Sequence, residues 1–292
     1  MATDMLTKNG PPKDLTKSIT EKPVAIMPPL VSLLIPCCGM KEYTKLGVNS
    51  IMKNTRMPYE LIFLDIGSLD GTEDYLDGLK QGLQQVRIEV VRTPSDLGIP
   101  AACREALQRC RGEYVVLLNN DTIVTRGWIH KMTALLDTLQ SVGMVGPMSN
   151  YAPAIQQVDT VPYRSGPRKS PRPGEESNVS RGLIDVEAVQ AFADEIHKEN
   201  GGKWVHAEHL GGFCLMIRRD LIKKFDQQGS LNKAMDLGLF DSEILSLKAK
   251  QLGYNLAVCR DLFIHHFGTR MFTHGASLSG SAGSVAVGQT NG

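Results

Sequence analysis

Short apolar runs alternate along the first half of the chain with stretches whose apolar residues recur three and four apart. Leu30 to Ile35, closed by Pro36, reads as a first strand, and Glu42 to Lys53 reads as a helix. Glu60-Leu-Ile-Phe-Leu-Asp65 reads as a second buried strand that ends in an acid. The turn Gly67 to Thr72 follows, with Thr72 as N-cap of a helix through Leu79. Arg87 to Val91 is a third strand and Gly98 to Cys110 a helix. Tyr114 to Leu118 is a fourth strand. Strands alternating with helices of this length predict an α/β fold, a mostly parallel sheet with right-handed crossovers.

After Pro147 the rhythm breaks. Tyr163 to Arg181 is rich in Pro, Gly, Ser and Arg and reads as a mobile loop. Leu183, Val186, Val189, Phe192, Ala193 and Ile196 return at helical spacing. Phe213 to Ile217 is a strand, Leu245 to Leu252 a helix ended by Gly253, and Tyr254 to Cys259 and Leu262 to His266 two short strands. Residues 1–29 read as a flexible arm, and the Gly- and Ser-rich stretch 273–292 as a disordered tail.

Composition narrows the function classes. A net charge of +1 over 292 residues implies no nucleic-acid partner. The six cysteines form no CxxC pair, and Cys103 and Cys110 share an apolar helix face with Ala102, Ala106 and Leu107. They read as core thiols, which points to a reducing, cytoplasmic compartment. The most apolar stretch, Pro23 to Cys38, is broken by four prolines and too short to span a membrane. Peripheral attachment, at the inner face of a membrane, stays open.

The densest chemistry lies at Asn119-Asn120-Asp121, directly after the fourth strand. Open α/β sheets bind ligands outside the C-terminal ends of their strands. A carboxylate placed there among amides suits a hard divalent cation that also holds phosphate oxygens. The plain alternative is a strand that stops in a polar turn.

Several segments together resemble glycosyltransferase family 2, whose members have the GT-A fold. Pro58 to Thr72 is similar to the family's "VDNGSTDGT" strand end, and Leu97 to Cys103 to its "NxGxxxAxN" segment. Gly112 to Thr122 resembles the strand that ends in the DXD-type metal motif. Gly211 to Arg219 resembles the acceptor-side "GxxxxxRR" strand. Phe240 to Glu243, Gly253-Tyr254 and Phe263 to Gly268 resemble the "ED…GY…HH.G" block. The match covers about residues 30–270 in order.

The resemblance implies a Rossmann-like, mostly parallel sheet flanked by helices. Residues 30–150 would form the nucleotide-sugar half, and 151–272 the acceptor-binding and catalytic half of the same domain. Pro36, Asp65, Asp70, Asp96 and Asn120 would bind the nucleotide. Asn119 and Asp121, with His265 or His266, would hold Mn²⁺ or Mg²⁺ on the diphosphate. Adjacent strand residues point to opposite faces, so one histidine would lie away from the cation. Gly211 and Gly212 would line the acceptor side, and Asp241 or Glu243 would be the general base, with Asp241 preferred.

The implied reaction is inverting transfer of a sugar from a nucleotide-diphosphate donor to a glycan, lipid-linked or protein-linked acceptor. The chain departs from the family pattern at four places. Asn119 replaces the first Asp of DXD, Arg104 an Asn, Cys37-Cys38-Gly39 the "VYN" segment, and Ser242 falls at the usual base position. The alternatives are a non-catalytic nucleotide- or carbohydrate-binding protein of the same fold, and a nucleotidyltransferase.

Overall fold

The computed structural model describes residues 29–93, 99–164, 184–227 and 241–268. Residues 1–28 of the arm, the tail, Asp96 and residues 165–181 of the expected loop lie outside the described residues.

One sheet of eight strands carries the molecule, in the order β3-β2-β1-β4-β8-β6-β9-β7. Its N-terminal part is β1 (Val31–Cys37), β2 (Tyr59–Ile66), β3 (Ile88–Thr93) and β4 (Tyr114–Leu118), all mutually parallel. The rest is β6 (Val142–Met148), β7 (Trp204–Ala207), β8 (Cys214–Arg218) and β9 (Asn255–Phe263). β8 runs antiparallel between β4 and β6, β9 is parallel to β6, and β7 closes the edge antiparallel to β9. The sheet is mostly parallel, as the alternation of strands and helices predicts. A second, two-stranded sheet pairs β5 (Thr122–Ile123) with β10 (His265–His266).

The helices are α1 (Lys41–Asn54), α2 (Thr72–Gly82), α3 (Ile99–Arg109), α4 (Trp128–Thr138), α5 (Val186–Asn200), α6 (Arg219–Gln227) and α7 (Ser242–Gln251). Two apolar clusters form, one containing Leu34, Ile62, Leu64 and Leu117, the other Leu33, Leu61, Phe63 and Val116. Neighbouring residues of one strand thus fall in different clusters. This is why β1, β2 and β4 read as unbroken apolar runs: helices cover both faces of the sheet.

Pro36 sits in a central strand, where a missing N–H is costly. Val31 donates its N–H toward β2, and N–H groups alternate sides along a strand. Pro36 therefore faces the β4 side, where the β1–β4 ladder has already ended at Leu34.

Two expectations need correction. Thr72 is not the N-cap of α2. Gly71 takes that place at φ +82°, and Thr72 is the first helical residue, its hydroxyl donating to Asp70 Oδ1 at 2.6 Å. The stretch Tyr254 to Phe263 is one strand with a register shift, followed by the separate β10. The elements β6, β7, α4 and α6 had no counterpart in the sequence reading, although in α6 the buried Leu221 and Phe225 recur at helical spacing and were a signal that could have been found.

Candidate active site

The C-terminal ends of β1, β2 and β4 lie side by side, and loops from each are tied together. Gly39 N–H donates to Ser68 Oγ at 2.7 Å, and Lys41 N–H donates to Asp70 Oδ2 at 2.8 Å. Asp70 thus satisfies an orphan donor in the first turn of α1 from a different loop. Met40, the N-cap residue of α1, lies at φ 66° and offers no side-chain cap. Burial pushes the Asp70 carboxyl up, but hydrogen bonds from the Thr72 hydroxyl and from the Lys41 and Thr72 N–H groups outweigh it. The net effect holds it below its ordinary value.

Asp65 is buried at the end of β2. It accepts from Ser68 N–H at 3.4 Å, and Arg92 Nε stands 3.9 Å from its other oxygen. Asn120 is buried too. Its Nδ2 donates to Thr44 Oγ1 at 2.9 Å and to the Gly39 carbonyl at 3.2 Å, while its Oδ1 has no partner among the described residues. The loop after β4 is pressed against α1 at Gly47, where a Cβ would come 3.1 Å from the Thr122 carbonyl oxygen and 3.2 Å from that of Asn120.

Asp121 is the focus. It is 1% exposed, and among the described residues neither carboxylate oxygen has a hydrogen-bond partner. Its nearest cationic candidate is His266, whose Nε2 stands 3.3 Å from Asp121 Oδ1. His266 Nδ1 lies 2.9 Å from the Tyr151 carbonyl oxygen, which can only accept, so Nδ1 carries a proton. In the neutral ring Nε2 then presents a lone pair toward the Asp121 oxygen and toward Asn119 Nδ2, which is 3.3 Å away.

Two lone-pair donors facing each other in a buried place are an unfavourable arrangement unless a proton or a cation joins them. A backbone carbonyl that fixes the tautomer is the usual outer support of a metal-ligating histidine. Neighbouring ligands of an octahedral Mg²⁺ at its normal bond length lie about 3 Å apart. The residues therefore fit a divalent cation. Among the described residues no group of three or more His, Cys, Asp or Glu could hold one unaided. Mg²⁺ in particular tends to draw only one or two protein ligands and to complete its shell from phosphates and water.

His265 goes elsewhere. Its Nδ1 is 2.9 Å from Tyr163 Oη and its ring meets Phe267 edge-on at 4.6 Å, while its Nε2 is buried without a partner among the described residues. Burial, with a smaller contribution from His266, pushes its pKa down to about 3.

The antiparallel β8 begins where β4 ends, so residues 211–213 enter the same edge. Asn119 N–H donates to the Phe213 carbonyl at 2.9 Å, and the Phe213 ring stacks on His266 with centroids 5.3 Å apart. Gly211 takes the Gln156 Oε1 on its N–H, and a Cβ there would strike Pro153 at 2.7 Å. A Cβ on Gly212 would meet Ser242 at 3.4 Å, so the start of α7 is packed on this strand end. Asp241 caps α7, its Oδ1 accepting from Glu243 N–H at 2.9 Å and Ile244 N–H at 3.1 Å. Glu243 is exposed in the first turn.

Asn150, Tyr151 and Phe213 had no role in the sequence reading. Asn150 clamps the backbone of His266 from both sides, accepting its N–H and donating to its carbonyl, each at 2.9 Å. The one available signal was that Asn150 follows an apolar run, as Asn119 does.

The glycosyl transferase family 2 model matches residues 32–225. The chain belongs to that family. It is 28% identical over 230 residues to the uncharacterized protein y4gI of Sinorhizobium fredii, covering 78% of this chain and 23% of that protein. It is 25% identical over 125 residues to the glycosyltransferase GlyG of Streptococcus pneumoniae, covering 43% of this chain and 41% of that one. Its fold is similar to that of the mannosyltransferase PcManGT from Pyrobaculum calidifontis in complex with GDP-Man and Mn²⁺. That match has a TM-score of 0.53 at 17% identity, over 86% of this chain and 61% of the other. The chain thus spans less than two thirds of the length of each of these proteins.

Proposed function

We propose that this chain transfers a sugar from a nucleoside-diphosphate donor to a hydroxyl of a glycan, a lipid-linked sugar or a protein-linked sugar, with inversion and with a divalent cation. The observation that carries the reading is the buried Asp121 carboxylate, without hydrogen bonds, opposite the Nε2 lone pair of His266. The complex of the similar-fold PcManGT with GDP-Man and Mn²⁺ supports it.

Asp121 and His266 would hold the cation and Asn119 would orient His266. A cation bound there supplies positive charge to the leaving diphosphate. Asp65 would accept an N–H of the base, and Asn120 would keep the diphosphate loop against α1. Asp241 would take the proton of the acceptor hydroxyl as its oxygen bonds to the anomeric carbon, and the bond to the diphosphate breaks with its electron pair on the leaving oxygen. Two N–H groups on Oδ1 fix the Asp241 carboxylate, and among the described residues its Oδ2 accepts no hydrogen bond. Residues 30–150 would serve the donor and 151–272 the acceptor. No described helix is long and apolar enough to cross a membrane. The free thiols are in keeping with a cytoplasmic setting.

The test is thermal denaturation with UDP, GDP, CDP and ADP, with and without Mn²⁺ or Mg²⁺. At least one diphosphate should raise the melting temperature with metal and not without it, since ligand binding to the native state alone stabilises it. No response to any pair refutes the donor reading. Binding without sugar transfer would favour the non-catalytic alternative, which the capping role of Asp241 and the serine beside it keep in play.

A further inference from the structure

Tyr151 stands at the rim of the Asp121–His266 pair. Its carbonyl takes the His266 Nδ1 proton, and its ring meets His266 edge to face with centroids 5.5 Å apart. Gly268, at φ +79°, covers one face of that ring. A Cβ built on Gly268 would come 2.9 Å from Tyr151 Cδ1 and 3.1 Å from both Cγ and Cε1. Nearly equal distances to three consecutive ring atoms describe an approach onto the face, not the edge. The residue as a whole nevertheless remains 49% exposed. Single exposed aromatics are common. This one is held flat, backed by a residue with no side chain, and set beside the candidate cation pair.

We propose that Tyr151 is a stacking platform for a pyranose ring. The proposal rests on the glycosyltransferase reading and names the part of the site that would grip sugar. A pyranose presents a face of C–H groups and a rim of hydroxyls. The negative face of an aromatic ring attracts the former, and a tyrosine loses little conformational freedom on becoming a contact surface. The ring so held is either the transferred sugar of the donor or the terminal sugar of the acceptor. The two sources share this chemistry and part company in the experiment.

The full chain and its Tyr151→Ala, Tyr151→Phe and Tyr151→Trp variants are titrated in Mn²⁺ with UDP, GDP, UDP-glucose, UDP-N-acetylglucosamine and GDP-mannose. Methyl glycosides of glucose, N-acetylglucosamine and mannose are followed in parallel by saturation-transfer NMR with irradiation of the aromatic protons. Tyr151→Ala should weaken a sugar-bearing probe by about tenfold, leave the bare diphosphate unchanged, and be rescued by Phe and Trp. Loss on the nucleotide sugar identifies the donor ring, and loss on a methyl glycoside alone identifies the acceptor ring. Equal loss for diphosphate and sugar probe overturns the proposal, because the ring would then only support His266. Unchanged binding of every sugar probe also overturns it. If no diphosphate binds the wild type, the donor reading falls by itself. The methyl glycosides still decide the platform, and no aromatic transfer that Tyr151→Ala removes counts against it.

Discussion

Asp121 is kept at a cost, and the cost can be measured. Its carboxylate is buried, accepts no hydrogen bond among the described residues and, with the His266 ring neutral, faces a lone pair. Asp121→Asn places an amide there that can donate to His266 Nε2. The metal-free variant should be more stable than wild type, by about 1–3 kcal/mol in denaturant unfolding, and should lose all stabilisation by Mn²⁺ with diphosphate. A variant less stable without metal would mean that Asp121 is structural. His265 gives a pH signature. Its folded pKa of about 3 lies below the ordinary histidine value of 6.5. Between those values the unfolded chain binds a proton that the folded one does not. Stability is thus full above about pH 6.5 and falls as the pH drops toward 3. His265→Gln should flatten that part of the melting-temperature profile, and an unchanged slope would contradict the assignment.

Helix ends and strand ends carry most of the site. Asp70 serves the first turn of α1, Asp241 the first turn of α7, and β8 enters the edge through Gly211-Gly212-Phe213. Capping and basicity can be separated at Asp241. Asn caps nearly as well as Asp, whereas Ala costs about 1 kcal/mol of stability. Asp241→Asn should keep the melting temperature and lower turnover by about a hundredfold or more. Full activity in Asp241→Asn would leave Asp241 a cap only, and loss in Glu243→Gln would move the base there. The elements themselves were largely legible. β1, β2 and β4 fall within a few residues of their expected bounds because burial on both faces writes unbroken apolar runs, and α1 and α3 do so because their apolar residues recur at helical spacing. The end of α2 was missed because Gly71 can adopt φ +82° and start the helix one residue early.

Across the molecule, the insertion of β8 antiparallel to β4 joins three segments far apart in sequence: 119–121, 211–213 and 265–267. If they form one site, their amides should gain hydrogen-exchange protection together when diphosphate and Mn²⁺ are added. The opposite edge, around Glu60 and Arg111, should not respond. Protection confined to one segment would break the site apart. Order of this kind depends on strand sequence across the sheet, which decides what meets what.

The chain's own pattern was enough to indicate an α/β sheet, the polar edge at Asn119-Asn120-Asp121 and a late pair of histidines, since each is written in neighbouring residues. It left undecided which histidine faces Asp121. That choice came from the pairing of His265 with Ile123 and His266 with Thr122 across β10 and β5, which sends one ring to Asp121 and the other to Tyr163. Nor could it reveal Asn150, Tyr151 and Phe213 as supports of His266, because their meaning lies in contacts more than fifty residues away along the chain. Periodicity records how much of a residue is buried. Only the closed sheet determines what it is buried against.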